Sequence, residues 1–247
     1  MAPPTPQELA GNALLSTLRD NDRNRLVPHM RVFDLQPGDV LQRAGEAVTE
    51  TWFPCGAALA SYTVSTNAND NAVEVALIGR EGAVGGIVSN GSLPSYSTAT
   101  VRNSGKFLRI KTSALEHAKI DSIHLRHWFS RYSDCLLAQV FQTAACNAEH
   151  TIIQRSAKWL VAARRRTGSR ELEMTQEQLA ELLGVGRTFV TRTISKLRAQ
   201  GYIQTRRGVI AIINETGLSE LSCNCTLAID KHFDAVMHGL YPPEPGG

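Results

Sequence analysis

The spacing of apolar residues changes character along this chain, and each change predicts a different kind of element. Residues 7–30 carry short apolar clusters that predict one or two short helices. From Arg31 the period shortens towards two. Gly, Pro and Asn punctuate the segments Arg31–Leu35, Asp39–Gln42, Thr51–Pro54, Ala57–Val64, Ala72–Ile78, Ala99–Arg102 and Lys106–Lys111. Many short strands at this spacing predict an all-β sandwich or roll. Within it, Phe33–Leu41 reads as a strand, a Pro-Gly turn and a second strand.

From Ser122 the pattern turns helical for about 25 residues. Leu125, Phe129, Tyr132, Leu136, Gln139 and Thr143 recur at alternating four- and three-residue steps, an a/d seam. A helix lying on its own β domain would show the same period. A dimer helix fits the rest of the chain better, because the motif that follows commonly works in symmetric pairs. A break is expected near Asn147–His150. Thr151–Arg166 is then amphipathic, with Ile152, Ile153, Ala157, Trp159, Leu160 and Ala163 on one side and Thr167–Ser169 as a loop. Leu218–Met237 reads as one terminal helix and Pro242–Gly247 as a disordered tail. The expected class is α+β: a β-roll sensor domain over 1–121, a dimerisation helix over 122–147, and a winged helix-turn-helix domain with a C-terminal helix over 148–247.

The most specific segment is Thr175–Gly201. Thr175 with Gln178 three residues later makes a capping box. Leu179, Leu182 and Leu183 form an apolar face, Gly184 stops the helix, and Val185 plugs the turn. A second helix opens at Gly186–Arg187 and buries Val190, Ile194 and Leu197. Arg187, Thr188, Thr191, Arg192, Ser195 and Lys196 face the other way. This is the layout of a helix-turn-helix, whose second helix reads base edges in the major groove. Thr175 and Gln176, at the start of the first helix, join the expected contacts. Arg suits a bidentate bond to guanine, and Thr a base edge or a thymine methyl. Gly201 caps the second helix. Tyr202–Thr205 and Val209–Ile213 read as a hairpin with Arg206 and Arg207 at its tip, a wing suited to phosphates.

Charge supports this placement. The net charge is only +3, but residues 151–216 hold 12 Lys/Arg against 5 Asp/Glu. That puts +7 around the motif, −1 on residues 1–150 and −3 on residues 217–247. A phosphate-binding surface requires such a concentration. Apolar runs fall short of a membrane span. The first residues lack the basic region of a signal peptide, so a cytoplasmic location is expected.

Candidate metal and redox chemistry is thin. The five cysteines are Cys55, Cys135, Cys146, Cys223 and Cys225. An odd number without a signal peptide argues against a disulfide framework. Cys223 and Cys225 are too close for the usual zinc spacing and stand without a second pair, so structural thiols and no metal site are expected. Cys135 and Cys146 lie on or near the long helix, where thiols of two subunits could approach. No histidine occurs in residues 31–112, which argues against a β-roll metalloenzyme of the cupin type. His124 and His127 form HxxH without the glutamate of a zinc protease helix. No Ser/His/Asp or P-loop signature appears, so no enzyme is expected. A third class, an adaptor that has lost DNA binding, is opposed by the intact Arg187, Arg192, Arg206 and Arg207.

A β-roll, a long helix and a winged helix in this order resemble the bacterial Crp–Fnr family of transcription regulators. The resemblance is carried by Arg155-Ser156-Ala157-Lys158-Trp159-Leu160 and the helix-turn-helix. Residues 35–46 (LQPGDVLQRAGE) and 79–86 (GREGAVGG) support it. It implies a homodimer on palindromic double-stranded DNA. A signal in the β-roll or along the dimer helix would reposition the reading helices, with RNA polymerase as a further partner. The family's reading helix often has Arg then Glu, with a second Arg five positions after the first. Arg187 and Arg192 fit, while Thr188 replaces the Glu, so the half-site need not match that of Glu-bearing members.

Members that bind cyclic AMP use a Gly-Glu pair for ribose, an Arg-Ser/Thr pair for phosphate and polar residues on the dimer helix for the base. The corresponding positions here read Gly85-Gly86, Ser97-Thr98, and Val140 with Phe141. An anionic phosphate needs a cation and directed donors, so cyclic AMP is not the expected effector. Arg80 and Glu81 nearby are expected to be a solvated pair in a turn. An iron–sulfur sensor would need cysteines clustered near the N-terminus, and Cys55 stands alone. A haem sensor needs an axial ligand. His29, His117, His124, His127 and His150 lie in no recognisable motif, which leaves haem open. No cofactor is evident, and the sequence leaves open both the identity of a small-molecule effector and whether one is needed.

Overall fold

The computed structural model describes residues 3–65, 72–87, 93–239 and 241, so Pro242–Gly247 lies outside the described residues. Three short helices lead into the roll: α1 (Pro6–Ala10), α2 (Ala13–Ser16) and α3 (Asp20–Leu26). Buried Asn12 caps α2 by accepting from the Leu15 amide at 2.8 Å. Its side-chain amide donates to the carbonyls of Pro54 and Gly82 at 2.8 and 3.0 Å. One polar residue therefore satisfies both a helix end and two roll carbonyls.

Seven strands follow: β1 (Arg31–Leu35), β2 (Val40–Gln42), β3 (Glu50–Pro54), β4 (Leu59–Ser65), β5 (Ala72–Ile78), β6 (Thr98–Asn103) and β7 (Gly105–Lys111). They form two antiparallel sheets, ordered β1-β7-β3 and β2-β6-β4-β5. Five consecutive residues of β4, Leu59 to Thr63, are buried, which shows cover on both its faces. A short helix, α4 (Thr112–Asp121), then reaches α5 (Ile123–Glu149), capped by Ser122.

The expected dimer seam on α5 is corrected by the packing. Leu125, Phe129 and Tyr132 are buried in a core with Leu15, Met30, Phe53, Leu108, Ile110 and Leu115 of the same chain. Leu136 packs on the core around Ala60, Ala76 and Val101. Gln139 is buried and donates to the Leu77 carbonyl at 3.0 Å. Thr143, half-buried, borders the crevice with Glu74 and Trp159. The heptad stripe is buried against its own β-roll, which uses the same periodicity as a coiled coil.

The C-terminal unit comprises α6 (Ile152–Thr167), β8 (Glu171–Glu173), α7 (Gln176–Leu183), α8 (Arg187–Ala199), β9 (Ile203–Arg206), β10 (Val209–Ile212) and α9 (Glu215–Leu221). Its strands make a third antiparallel sheet, β8-β10-β9. The terminal helix expected as one piece is two. α9 ends at Ser222, in extended conformation, and α10 runs over Cys225–Met237 and packs along α5. His232 meets Asp134 at 3.0 Å, and Arg131 donates to the Val236 carbonyl at 3.1 Å. Buried Cys223 and Cys225 at the break pack on Cys146.

The C-terminal unit is docked on the roll. Leu59 and Leu77 belong to one apolar core with Trp159, Leu160, Leu179, Leu183 and Ile194. At the rim, the Trp159 indole donates to Glu74 at 2.8 Å and Arg166 Nε to Glu81 at 2.7 Å. Glu81 is therefore not the solvated partner of Arg80 expected from sequence, because α6 brings Arg166 to it.

Candidate nucleic-acid interface

The capping box at the start of α7 is formed. Thr175 Oγ1 accepts from the Gln178 amide at 3.1 Å, and Gln178 Oε1 accepts from the Thr175 amide at 2.8 Å. Gly184 ends α7 in the left-handed region, at φ +64°. A Cβ there would lie 2.8 Å from Val73 of β5, so both its conformation and its contact with the roll require glycine. Val190, Ile194 and Leu197 of α8 are essentially without solvent contact. Burying that face fixes which residues look outward: Arg187, Thr188, Thr191, Arg192, Ser195 and Lys196 are all exposed.

Local partners hold this face in the free protein. Thr191 Oγ1 donates to Gln176 Oε1 at 3.0 Å, tying the reading helix to the helix before it. Arg187 stands 4.0 Å from Glu177, both well exposed. At the wing, Arg206 pairs with Glu171 of β8, and Gly208 makes the turn with φ +71° beside Arg207. These exposed pairs are weak and exchangeable, which suits arginines that must change partner for phosphate or base. Phe189, 55% exposed on α8, joins this face although the sequence pattern assigned it to neither side of the helix. Phe can pack on a thymine methyl.

A cavity of about 700 Å³ opens in the roll beneath α5. Gly85, Gly86, Ser97 and Val140 line it as expected, with Val64, Val73, Val75, Tyr62 and Leu136. Two expected members are misplaced. Thr98 accepts from the Ala44 amide instead of lining the cavity, and Phe141 is 64% exposed on the outer side of α5. No Asp, Glu, Lys or Arg occurs among the described lining residues. Polarity comes from Tyr62, which accepts from the Gly85 amide at 2.8 Å, and from Gln42. Gln42 donates to Ser95 at 2.6 Å, while its Oε1 is buried without a hydrogen-bond partner among the described residues.

The cysteines of the long helix are buried within the chain. Cys135 is buried within the chain, which pushes its thiol up to about 11. Cys146 is buried against Cys223, at 3.6 Å between sulfurs. Both thiols are thus enclosed by their own chain, where the sequence suggested an approach between two subunits. Topology also brings His150 to Cys146, Cys223 and Cys225, a grouping that sequence spacing concealed.

A capped helix pair with a basic outward face, a basic-tipped wing, a long helix and a β-roll with an internal cavity define a DNA-binding protein of the transcription-regulator class. Residues 154–221 match the family model of the Crp-like helix-turn-helix domain. The whole architecture is the Crp/Fnr fold. FixK2 from Bradyrhizobium japonicum is similar at 17% identity and TM-score 0.65, over 78% of this chain and 98% of that one. A putative Crp/Fnr-family regulator from Eubacterium rectale is similar at 16% identity and TM-score 0.64, over 85% and 97%. The c-di-GMP responsive global regulator CLP of Xanthomonas campestris is similar at 15% identity and TM-score 0.63, over 78% and 99%. No curated protein sequence matches the chain.

Proposed function

We propose that the chain is a non-enzymatic, sequence-specific transcription regulator that binds a palindromic operator as a homodimer. The observation that carries this is the exposed Arg187–Arg192 face on a helix whose opposite side is locked in the core. The two arginines, five residues apart, read base edges, with Thr188, Thr191, Ser195 and Phe189 around them. Lys196, Arg206 and Arg207 hold phosphates. Thr175 and Gln176 sit at the helix N-terminus that approaches the backbone.

The dimer contact is the stripe Leu137, Phe141, Ala144 and Ala148 on the free side of α5, all exposed. Their 4-3-4 spacing is the seam of a two-helix contact. It replaces the seam that the roll buries.

The effector of the roll is a neutral, largely apolar molecule with a hydrogen-bond donor for Gln42 Oε1. A cyclic nucleotide phosphate would be desolvated in this cavity without a cation, which is costly. RNA polymerase is the partner wherever the protein activates transcription, in the cytoplasm. No helix among the described residues is long and apolar enough to cross a membrane.

The test is selection of bound sites from random DNA, followed by affinity measurements on the selected palindrome. Arg187→Ala or Arg192→Ala should weaken the selected site by ~1–3 kcal/mol and relax preference at one position per half-site. Arg206→Ala should weaken all sequences alike and lower the salt slope by about one per half-site. Equal, sequence-blind losses from all three would remove base reading from α8.

A further inference from the structure

We propose that Cys146, His150, Cys223 and Cys225 form a tetrahedral site for one divalent cation of the zinc type. Cys146 lies in the last turn of α5 and His150, four residues on, caps that helix with its amide on the Cys146 carbonyl, so the two stand at one end of it. Cys223 and Cys225 come from the break between α9 and α10, some 75 residues later. One ligand atom from each residue lies within 4.8 Å of the other three.

The distances fit one small ion. With Zn–S near 2.3 Å and Zn–N near 2.0 Å, a tetrahedral ion holds two thiolates about 3.8 Å apart. It holds a thiolate and an imidazole nitrogen about 3.5 Å apart. The sulfurs of Cys146 and Cys223 are 3.6 Å apart, and Cys225 Sγ lies 3.7 Å from His150 Nδ1. These are opposite edges of one tetrahedron, each joining α5 to the break.

The surroundings complete the donor set. Gln142 Nε2 donates to Cys225 Sγ at 3.3 Å, the kind of outer hydrogen bond that steadies a ligating sulfur. Arg155 interacts electrostatically with Cys146 and Cys223; its Nη2 donates to the Leu183 carbonyl, and its Nε is buried without a hydrogen-bond partner among the described residues. A divalent cation with three thiolates and a neutral imidazole carries one net negative charge. That charge is the counterpart a buried guanidinium needs. A packed cluster of neutral thiols would leave Arg155 without it, and a Cys146–Cys223 disulfide would leave Cys225 and His150 unused. Three sulfurs and one nitrogen at tetrahedral spacing select zinc over the oxygen-seeking cations.

The site lies where the chain passes into and out of the DNA-reading domain. Two ligands precede residues 154–221 and two follow them. A bound ion would therefore join the base of that domain to the end of α5 and hold α10 in place.

The test is elemental analysis of the untagged full chain, purified without chelator from cells supplied with both zinc and iron. One zinc per chain is expected, falling at least tenfold in Cys223→Ser and unchanged in Cys55→Ser. Because a ligand variant could fail to fold, the unaltered chain is also stripped and refilled with cobalt(II). Intense visible absorption of a tetrahedral thiolate site should appear at one equivalent, and zinc should abolish it. Stripping should lower the unfolding temperature, and zinc should restore it. Absence of zinc with no uptake on refilling would overturn the proposal. So would iron in its place, zinc retained by Cys223→Ser, or a Cys146–Cys223 disulfide in the freshly isolated protein. None of these readouts depends on DNA binding.

Discussion

Glu74 shows how a single residue reports on the docking of two units. It sits on β5, takes the Trp159 indole hydrogen bond on Oε1, and has Oε2 buried without a hydrogen-bond partner among the described residues. Burial pushes its carboxyl up to about 7, against the lowering pull of Arg102, the Trp159 bond, Lys158 and Arg166. An unfolded glutamate titrates near 4.5. Between those two values the folded chain keeps a proton that the unfolded chain has lost. Stability from this group therefore falls as pH rises through that window and levels off above it. Glu74→Gln keeps a carbonyl oxygen for Trp159 and removes the titration. Urea unfolding at stepped pH should show a shallower decline for the variant between about pH 5 and 7, and a more stable variant at pH 8. Parallel curves would mean that Glu74 is ionised throughout and paired with its cationic neighbours. Nothing in the sequence marks this carboxylate, because its desolvation arises only when α6 docks. The Thr175–Gln178 cap was legible, because its partners are three residues apart.

At the scale of an element, α5 separates what periodicity can tell from what it cannot. The stripe from Leu125 to Gln139 was read correctly as buried and assigned to the wrong partner. A helix on its own sheet and a helix on its twin bury the same positions. The roll strands were legible to within a residue or two because Gly, Pro and Asn mark their turns. The break after α9 was not, because residues around Cys223 are held by contacts with α5, far off in sequence. The two faces of α5 should respond differently to substitution. Phe129→Ala removes a ring from the core and should cost ~3–5 kcal/mol in unfolding free energy. Phe141→Glu or Leu137→Glu should leave the folded chain intact and dissociate the proposed dimer, since each would place a charge in its two-helix seam. Sedimentation velocity beside chemical unfolding separates the two effects. A Phe141→Glu protein that still sediments as a dimer would move the interface off this stripe.

For the whole molecule, the decisive feature is that the reading unit is clasped to the roll by more than its linker. Val73 lines the roll cavity and also touches Gly184 in the turn between α7 and α8. Arg166 reaches Glu81 in the turn after β5, and Leu59 and Leu77 lie in the core of the reading unit. A cavity wall and a DNA-reading turn thus share a side chain, and the clasp decides whether movement of one is felt by the other. Its role can be measured without knowing the effector. In the proposed dimer, the clasp would present two reading helices at fixed separation, so the second half-site would be met at high effective concentration. Loosening the clasp should leave half-site affinity alone and lower full-site affinity, because the second helix must then be ordered on binding. Arg166→Met with Glu81→Gln removes the ion pair without leaving either charge buried and unpaired. The expected result is unchanged binding to a half-site, about tenfold weaker binding to the palindrome, and faster amide exchange over Ala72–Ile78. Equal losses on half-site and palindrome would show that Arg166 supports the reading unit itself, and the two domains would then be coupled through their shared apolar core alone.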